Sequence, residues 1–198
     1  LARSRGGRRR PGAARATASP AAGNTAAPGG AASIEDATRP RVWQDLNLHP
    51  LADATDARPL FDFAAMPWPD PSGVAFGWGA TSIDGGALVA ALLAERAGRA
   101  VLLHGPLVTL DPSSAVVPLD LASQLVALAL GHAAALGADT VFTRPQGLDR
   151  VWIRFGFIPV PEAALPAAFA GREGAGLYGW RGGSALWTFR DADGESAA

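Results

Sequence analysis

Large apolar side chains are nearly absent from residues 1–41, which are rich in Arg, Ala, Gly and Pro. Such a segment cannot bury enough surface to offset its conformational entropy, so disorder is expected there and the folded part is expected to begin near Val42. Residues 45–51 (DLNLHPL) alternate well enough for a first strand. Asp53, Thr55 and Asp56 then supply N-cap residues for a helix running to about Met66. The stretch Met66-Pro67-Trp68-Pro69-Asp70-Pro71 cannot continue it, because its prolines remove donors and restrict the residues before them. Together with residues 73–79 it reads as a loop.

From Ala80 the pattern becomes regular. Residues 80–83, the Asp84-Gly85-Gly86 turn and residues 87–95 predict a hairpin. A second turn, Arg96-Ala97-Gly98-Arg99, leads into AVLLHGPLVTL at 100–110, nearly all apolar, as expected for a strand buried on both faces. Leu121, Leu125, Leu128 and Leu136 form the apolar stripe of a helix over 120–136, closed by Gly137 at its C′ position. Residues 139–143 predict a short strand, parallel to 100–110 because a helix joins them. A short helix at 147–155, a strand at 157–160 and a hairpin of 177–181 with 184–190 around Gly182-Gly183 complete the pattern, and 191–198 should fray. The result is an α+β domain over 42–190 with a mixed, mostly antiparallel sheet. A domain of about 150 residues buries roughly two-thirds of its chain surface, enough for a sound core.

Charge divides the chain. Residues 1–41 carry eight Arg against Glu35 and Asp36, a net of +6, while 42–198 carry nine Arg against sixteen acids, a net of −7. An acidic folded part argues against nucleic-acid binding there, since phosphate neutralisation needs clustered cations. The cluster Arg3, Arg5, Arg8, Arg9, Arg10 and Arg15 leaves several readings open: an arm for nucleic acid or a membrane surface, a targeting peptide, a solvated tail, or sequence ahead of the native start, which Leu1 would fit. The chain has no cysteine, which excludes disulfides and a cysteine nucleophile, and His49, His104 and His132 lack metal-ligand spacing. No run of 18 uncharged apolar residues is present, so no membrane span and a cytoplasmic protein are expected.

The order helix, strand, short helix, Gly156-Phe157 across residues 119–160 resembles the second half of a GNAT-type N-acyltransferase domain. The resemblance is close over 100–160 and looser over 45–190. It implies a GNAT-like three-layer αβα fold whose sheet splays between the strand at 100–110 and the strand at 139–143. It also implies acetyl-CoA as acyl donor, transferred directly to a small-molecule amine or a peptide N-terminus. In this family the splayed strand carries a bulge that frees backbone groups for the pantetheine arm, which places Gly105, Pro106, Leu107 and Val108 at the cofactor. Pro106 in a central strand independently demands a bulge or an unpaired edge. The family's diphosphate loop, Arg/Gln-x-x-Gly-x-Gly/Ala, falls on residues 117–122 and implicates Val117, Leu121, Ala122 and the adjoining Ser123. There only Ala122 matches: Val117 replaces the Arg/Gln and Asp120 replaces a glycine. Trp152 stands where the family has a Tyr general acid, and it has no phenolic proton.

An amine acceptor needs a base near the split strands. Glu95 and His104 are the candidates by position, and Tyr178, the single tyrosine, is a candidate proton donor. Each also has a bland reading: a solvated turn carboxylate beside Arg96 and Arg99, a hydrogen-bonded core histidine, and a packing tyrosine. His132 lies in the helix's apolar stripe and reads as a core or dimer-contact residue. Trp68, Trp78, Trp152, Trp180 and Trp187 fit either a ligand cleft or core and interface anchors. Three functions stay open: an acetyltransferase, a catalytically silent GNAT-like ligand-binding or homodimerisation module, and an accessory protein contacting nucleic acid through its Arg-rich tail.

Overall fold

The computed structural model describes residues 33–181. Most of the tail expected at 1–41, the strand expected at 184–190 and Trp187 lie outside the described residues. Eight strands form one sheet: β1 (Arg41–Trp43), β2 (Leu46–Pro50), β3 (Val74–Ser82), β4 (Leu88–Ala97), β5 (Ala100–Val108), β6 (Thr140–Thr143), β7 (Ile158–Pro159) and β8 (Tyr178–Arg181). Their spatial order is β1-β2-β3-β4-β5-β6-β8-β7, and among the described pairs β5 with β6 alone is parallel. The helices are α1 (Ile34–Ala37), α2 (Arg58–Phe63), α3 (Pro118–Ala135) and α4 (Asp149–Arg154). Among the described residues no helix is long and apolar enough to cross a membrane.

Helices cover both faces of the sheet, giving three layers. On one face Leu121, Leu125, Val126 and Ala129 of α3, with Trp152 and Phe157, pack on Leu92, Ala94, Val101 and Leu103. On the other face Ala57, Leu60 and Phe61 pack on Ala91, Leu93 and Leu107. A third patch joins Leu102 and Phe142 to Phe169 and Leu177 from the 161–177 segment. Side chains alternate along a strand, so Leu93 and Leu102 share a face, and the second and third patches lie side by side on it. Helix α3 starts on Pro118, needing no donor there, and stops before Gly137, which takes the left-handed conformation (φ 78°).

The structure departs from the sequence expectations near the start. The folded part begins before Val42: the Ser33 hydroxyl caps α1 by accepting from the Asp36 amide, Ala37 is buried, and β1 starts at Arg41. The expected first strand begins at Leu46, because Gln44 and Asp45 form a positive-φ turn (47° and 61°) that pairs β2 back on β1. The helix expected at 53–66 is split. Asp53 accepts from the Thr55 amide at 2.8 Å to cap a 3₁₀ turn, Ala54–Ala57, and α2 ends at Phe63. The stretch 73–79 is largely β3 rather than loop. Its glycines hide the strand signal, but a Cβ on Gly79 would lie 2.5 Å from a Leu88 methyl and 2.7 Å from one of Leu51. At Gly77 it would lie 2.8 Å from a Leu93 methyl. The glycines let these leucines cross the strand.

Downstream the expectations agree closely with the elements. The bulge is in β5: Leu93 faces His104 and Ala91 faces Leu107, so Gly105 and Pro106 together stand opposite Leu92. The parallel ladder of β5 with β6 ends at Leu103–Thr143. β5 continues to Val108 with no strand beside it on that side among the described residues, so β5 and β6 part at His104. Gly105 has φ 93°, and a Cβ there would sit 3.0 Å from the Ala91 carbonyl oxygen. Gly105→Ala is therefore expected to lose about 1–3 kcal/mol of stability, measured by urea unfolding.

Candidate active site at the parting of the strands

Glu95 and His104 are diagonal neighbours on one sheet face, since Leu93 pairs with His104 and Glu95 pairs with Leu102. His104 is the first residue of β5 beyond its last pair with β6. Glu95 is buried, at 3% exposure, so it is not a solvated turn carboxylate. Its Oε1 lies 2.9 Å from His104 Nε2. Arg172, in the segment after Phe169, closes on the same carboxylate: Nε donates to Oε1 at 2.9 Å and to Oε2 at 3.2 Å, and Nη2 donates to Oε2 at 2.7 Å. A buried charge is tolerated where geometry and hydrogen bonding are this complete.

Arg172 is itself held. Arg144, buried at the end of β6, donates from Nη2 to the Arg172 carbonyl at 3.1 Å and from Nη1 to the Gly176 carbonyl at 2.9 Å. The same guanidinium forks onto Glu162, with Nη1 2.7 Å from Oε2. Close packing completes the clamp, for a Cβ on Gly174 (φ 126°) would lie 2.9 Å from Arg144 Cγ.

Between Pro67-Trp68-Pro69 and Gly171-Arg172-Glu173 a cavity of about 300 Å³ opens onto His104. Trp68 is fixed edge-on to Phe61 (5.1 Å between ring centroids), with the Arg58 guanidinium 5.3 Å from its own ring centre. The electrostatics assign protonation states. Burial pushes the Glu95 carboxyl up, but the Arg172 hydrogen bonds, the His104 ring and the Arg172 charge outweigh it and hold the group below its ordinary value. Burial lowers His104 below the ordinary histidine value; Glu95 opposes this and Arg172 adds to it. Near neutral pH the site holds an ionised Glu95 and a neutral His104.

Tyr178 is not brought to this pair. It packs with the α3-face core, its hydroxyl donates to Asp149 Oδ1 at 2.7 Å, and that bond raises its pKa. Trp152 is a core residue whose Nε1 donates to the Pro145 carbonyl at 3.2 Å. His132 is buried against Phe76 (stacked, 4.1 Å) and Trp78 (edge-on, 6.3 Å), with no partner for Nδ1, and burial lowers its pKa.

The positions expected at the acyl donor divide into two groups. Gly105, Pro106, Leu107 and Val108 lie on the parted edge of β5, where backbone groups have no strand partner on the β6 side among the described residues. That edge suits an amide-bearing arm. The start of α3 does not suit a diphosphate. Pro118 has no N–H, and the Asp120 and Leu121 amides both donate to the Val117 carbonyl (3.0 and 3.1 Å). Asp120 adds a carboxylate to the first turn. The Leu121 and Ala122 side chains are buried, and the Ser123 hydroxyl bonds back to the Leu119 carbonyl at 2.8 Å. Sequence reasoning missed Arg172 and Arg144. Arg172 lies beside Glu173 in a glycine-bearing stretch and Arg144 precedes Pro145, so neither carries a local signal of its partners.

No protein-family model and no curated protein matches the sequence. Solved structures do match the fold. A GNAT-family acetyltransferase from Staphylococcus aureus Mu50 superposes with TM-score 0.52 at 10% identity, over 69% of this chain and 98% of the other. An acetyltransferase from Streptococcus agalactiae gives 0.52 at 11%, over 70% and 99%. N-acetylglutamate synthase from Neisseria gonorrhoeae, complexed with coenzyme A and N-acetylglutamate, gives 0.50 at 13%, over 68% of this chain but 35% of that one. The chain has the GNAT fold, at 10–13% sequence identity to these structures.

The depressed pKa values set a pH dependence. An unfolded chain protonates its histidines near 6.5, before folded His104 and His132 do, and its Glu95 near 4.5, before the folded carboxylate does. The unfolded state then binds more protons, so stability falls with pH below about 6.5 and further below about 4.5. Urea midpoints measured across this range should decline with acidification, and His132→Leu should flatten the upper part of the decline.

Proposed function

We propose that this protein is an N-acetyltransferase moving an acetyl group from acetyl-CoA to a primary amine, of a small molecule or a peptide N-terminus, with His104 as general base. The observation that carries this reading is the pair of buried Glu95 and part-buried His104, opening onto a cavity at the point where β5 and β6 part. His104, not Glu95, is the base. Both Glu95 oxygens are occupied by Arg172 and His104, and its carboxyl is held ionised at low proton affinity. A neutral imidazole at the cavity matches the demand for a group that accepts a proton near neutral pH.

Acetyl-CoA supplies the acyl thioester. His104 removes a proton from the incoming amine, the new C–N bond forms as the C–S bond breaks, and the thiolate leaves. Among the described residues no phenol faces His104, because Tyr178 is on the other face and Trp152 is in the core. Solvent therefore protonates the leaving thiolate, and a thiol, with cysteine's ordinary pKa of about 8.5 as the guide, is acidic enough for its thiolate to leave unaided. The fold shared with acetyltransferases supports the reading.

A second reading, a silent ligand-binding domain of the same fold, is favoured by one region alone: the α3 start with Val117, Pro118 and Asp120. Calorimetric titration separates the two, since absence of heat at millimolar acetyl-CoA would remove the enzyme reading. Amine-dependent thiol release is readily followed with a disulfide reagent, because the chain has no cysteine to contribute background. His104→Ala should lower kcat/KM by a factor on the order of 10²–10⁴.

A further inference from the structure

We infer that Arg172 is a positioning residue for His104: by clamping both oxygens of Glu95 it holds the imidazole as the Nε2–H tautomer and leaves Nδ1 as the basic atom facing the cavity. The inference rests on the proposed function, for it names the atom that would accept the proton.

The bonding requires this tautomer. A carboxylate is an acceptor only, so the nitrogen facing it must carry hydrogen, and the nitrogen 2.9 Å from Glu95 Oε1 is Nε2. Among the described residues the one hydrogen bond of the His104 ring is through Nε2, and His104 borders the cavity, so the open lone pair is the Nδ1 one. Glu95 alone would not enforce this. A buried carboxyl beside a neutral ring tends to take up a proton, and a protonated Glu95 donates, leaving the ring free to adopt either tautomer. Arg172 prevents that. Its guanidinium stays charged at all working pH values, and its two-pronged grip on Oε1 and Oε2 makes protonation of Glu95 costly. The other charged groups nearby, Asp70 ahead of β3 and Glu173 in the cavity wall, act on Arg172 or the cavity and do not bond Glu95. Behind Arg172, the hydrogen bond from Arg144 to its carbonyl and the Arg144–Glu162 fork fix where that guanidinium starts from.

The test uses the full chain and nitrogen-15 NMR of the imidazoles, with His104→Gln assigning the His104 signals. The expected wild-type spectrum shows His104 protonated at Nε2 and unprotonated at Nδ1 near neutral pH. Arg172→Met should convert it to a mixture of tautomers and lower kcat on the order of 10²-fold, with the amine KM little changed. Arg172→Lys keeps the charge without the fork and should fall between the two; it is read alone if the Met variant does not fold. A His104 signal protonated at Nδ1 in the wild type, or one unmoved in both variants, overturns the inference. The NMR arm needs no acetyl-CoA. A tautomer that responds in a chain releasing no thiol would leave the positioning role standing and sink the acetyltransferase reading. Activity with an unmoved tautomer would do the reverse.

Discussion

The paired bonds between Arg172 and Glu95 are the interaction on which the site depends. Glu95 sits on a central strand with almost no solvent contact. Stripping a carboxylate of water costs several kcal/mol, and the cost is offset only where its lone pairs are filled. Here they are filled by a guanidinium on one side and an imidazole on the other. The pairing also determines where the 161–177 segment lies, because that segment delivers Arg172, and Phe169 and Leu177 pack on Leu102 and Phe142 beside it. Removing Arg172 strands the Glu95 charge, at less than the about 3–5 kcal/mol of a fully buried pair because the Arg172 side chain is 35% exposed. Local stability and site geometry are thus one property.

Where the pair sits is decided by the sheet. Pro106 cannot donate to a ladder, Gly105 takes a backbone conformation closed to side chains, and together they push one extra residue into β5 just after His104. β6 is short and ends level with Leu103. The strands therefore separate immediately beyond the histidine, and the packed face becomes a cavity wall at that level. Leu93 and Leu107 on one side and Leu102 on the other close the sheet face around it, so the polar cluster occupies the seam between two apolar patches.

How far the chain could be read from its sequence follows from the range of each interaction. Helix α3, strands β4 and β5, the Gly137 stop and the bulge at Gly105-Pro106 are written in local periodicity and in the stereochemistry of single residues, and they were legible. β3 was not, because Gly77 and Gly79 answer to leucines from β4 and from the segment after β2, and their fit is visible only after folding. Glu95 and His104 were legible as candidates by position, yet Glu95 beside Arg96 looks like a surface carboxylate in any local window. Its burial follows from the β4–β5 register, and its partner Arg172 lies 77 residues away. No pattern of neighbouring residues marks such a pair.

The two ends of the parted groove bear differently on activity. At the α3 start, Pro118, Asp120 and the inward-turned amides forgo contacts that a diphosphate would use, each a hydrogen bond of roughly 1.5–3 kcal/mol when one partner is charged. That would make any binding of the proposed donor weak, which is a statement about affinity rather than about chemistry. At the other end, a silent scaffold has no physical need for a buried carboxylate held between a part-buried imidazole and a part-exposed guanidinium. Apolar residues of similar volume in place of such a group are often neutral or stabilising by about 1–4 kcal/mol. A cluster that stability alone would not require, with a neutral imidazole bordering a cavity where β5 and β6 part, is the arrangement that the proton transfer proposed for His104 would use.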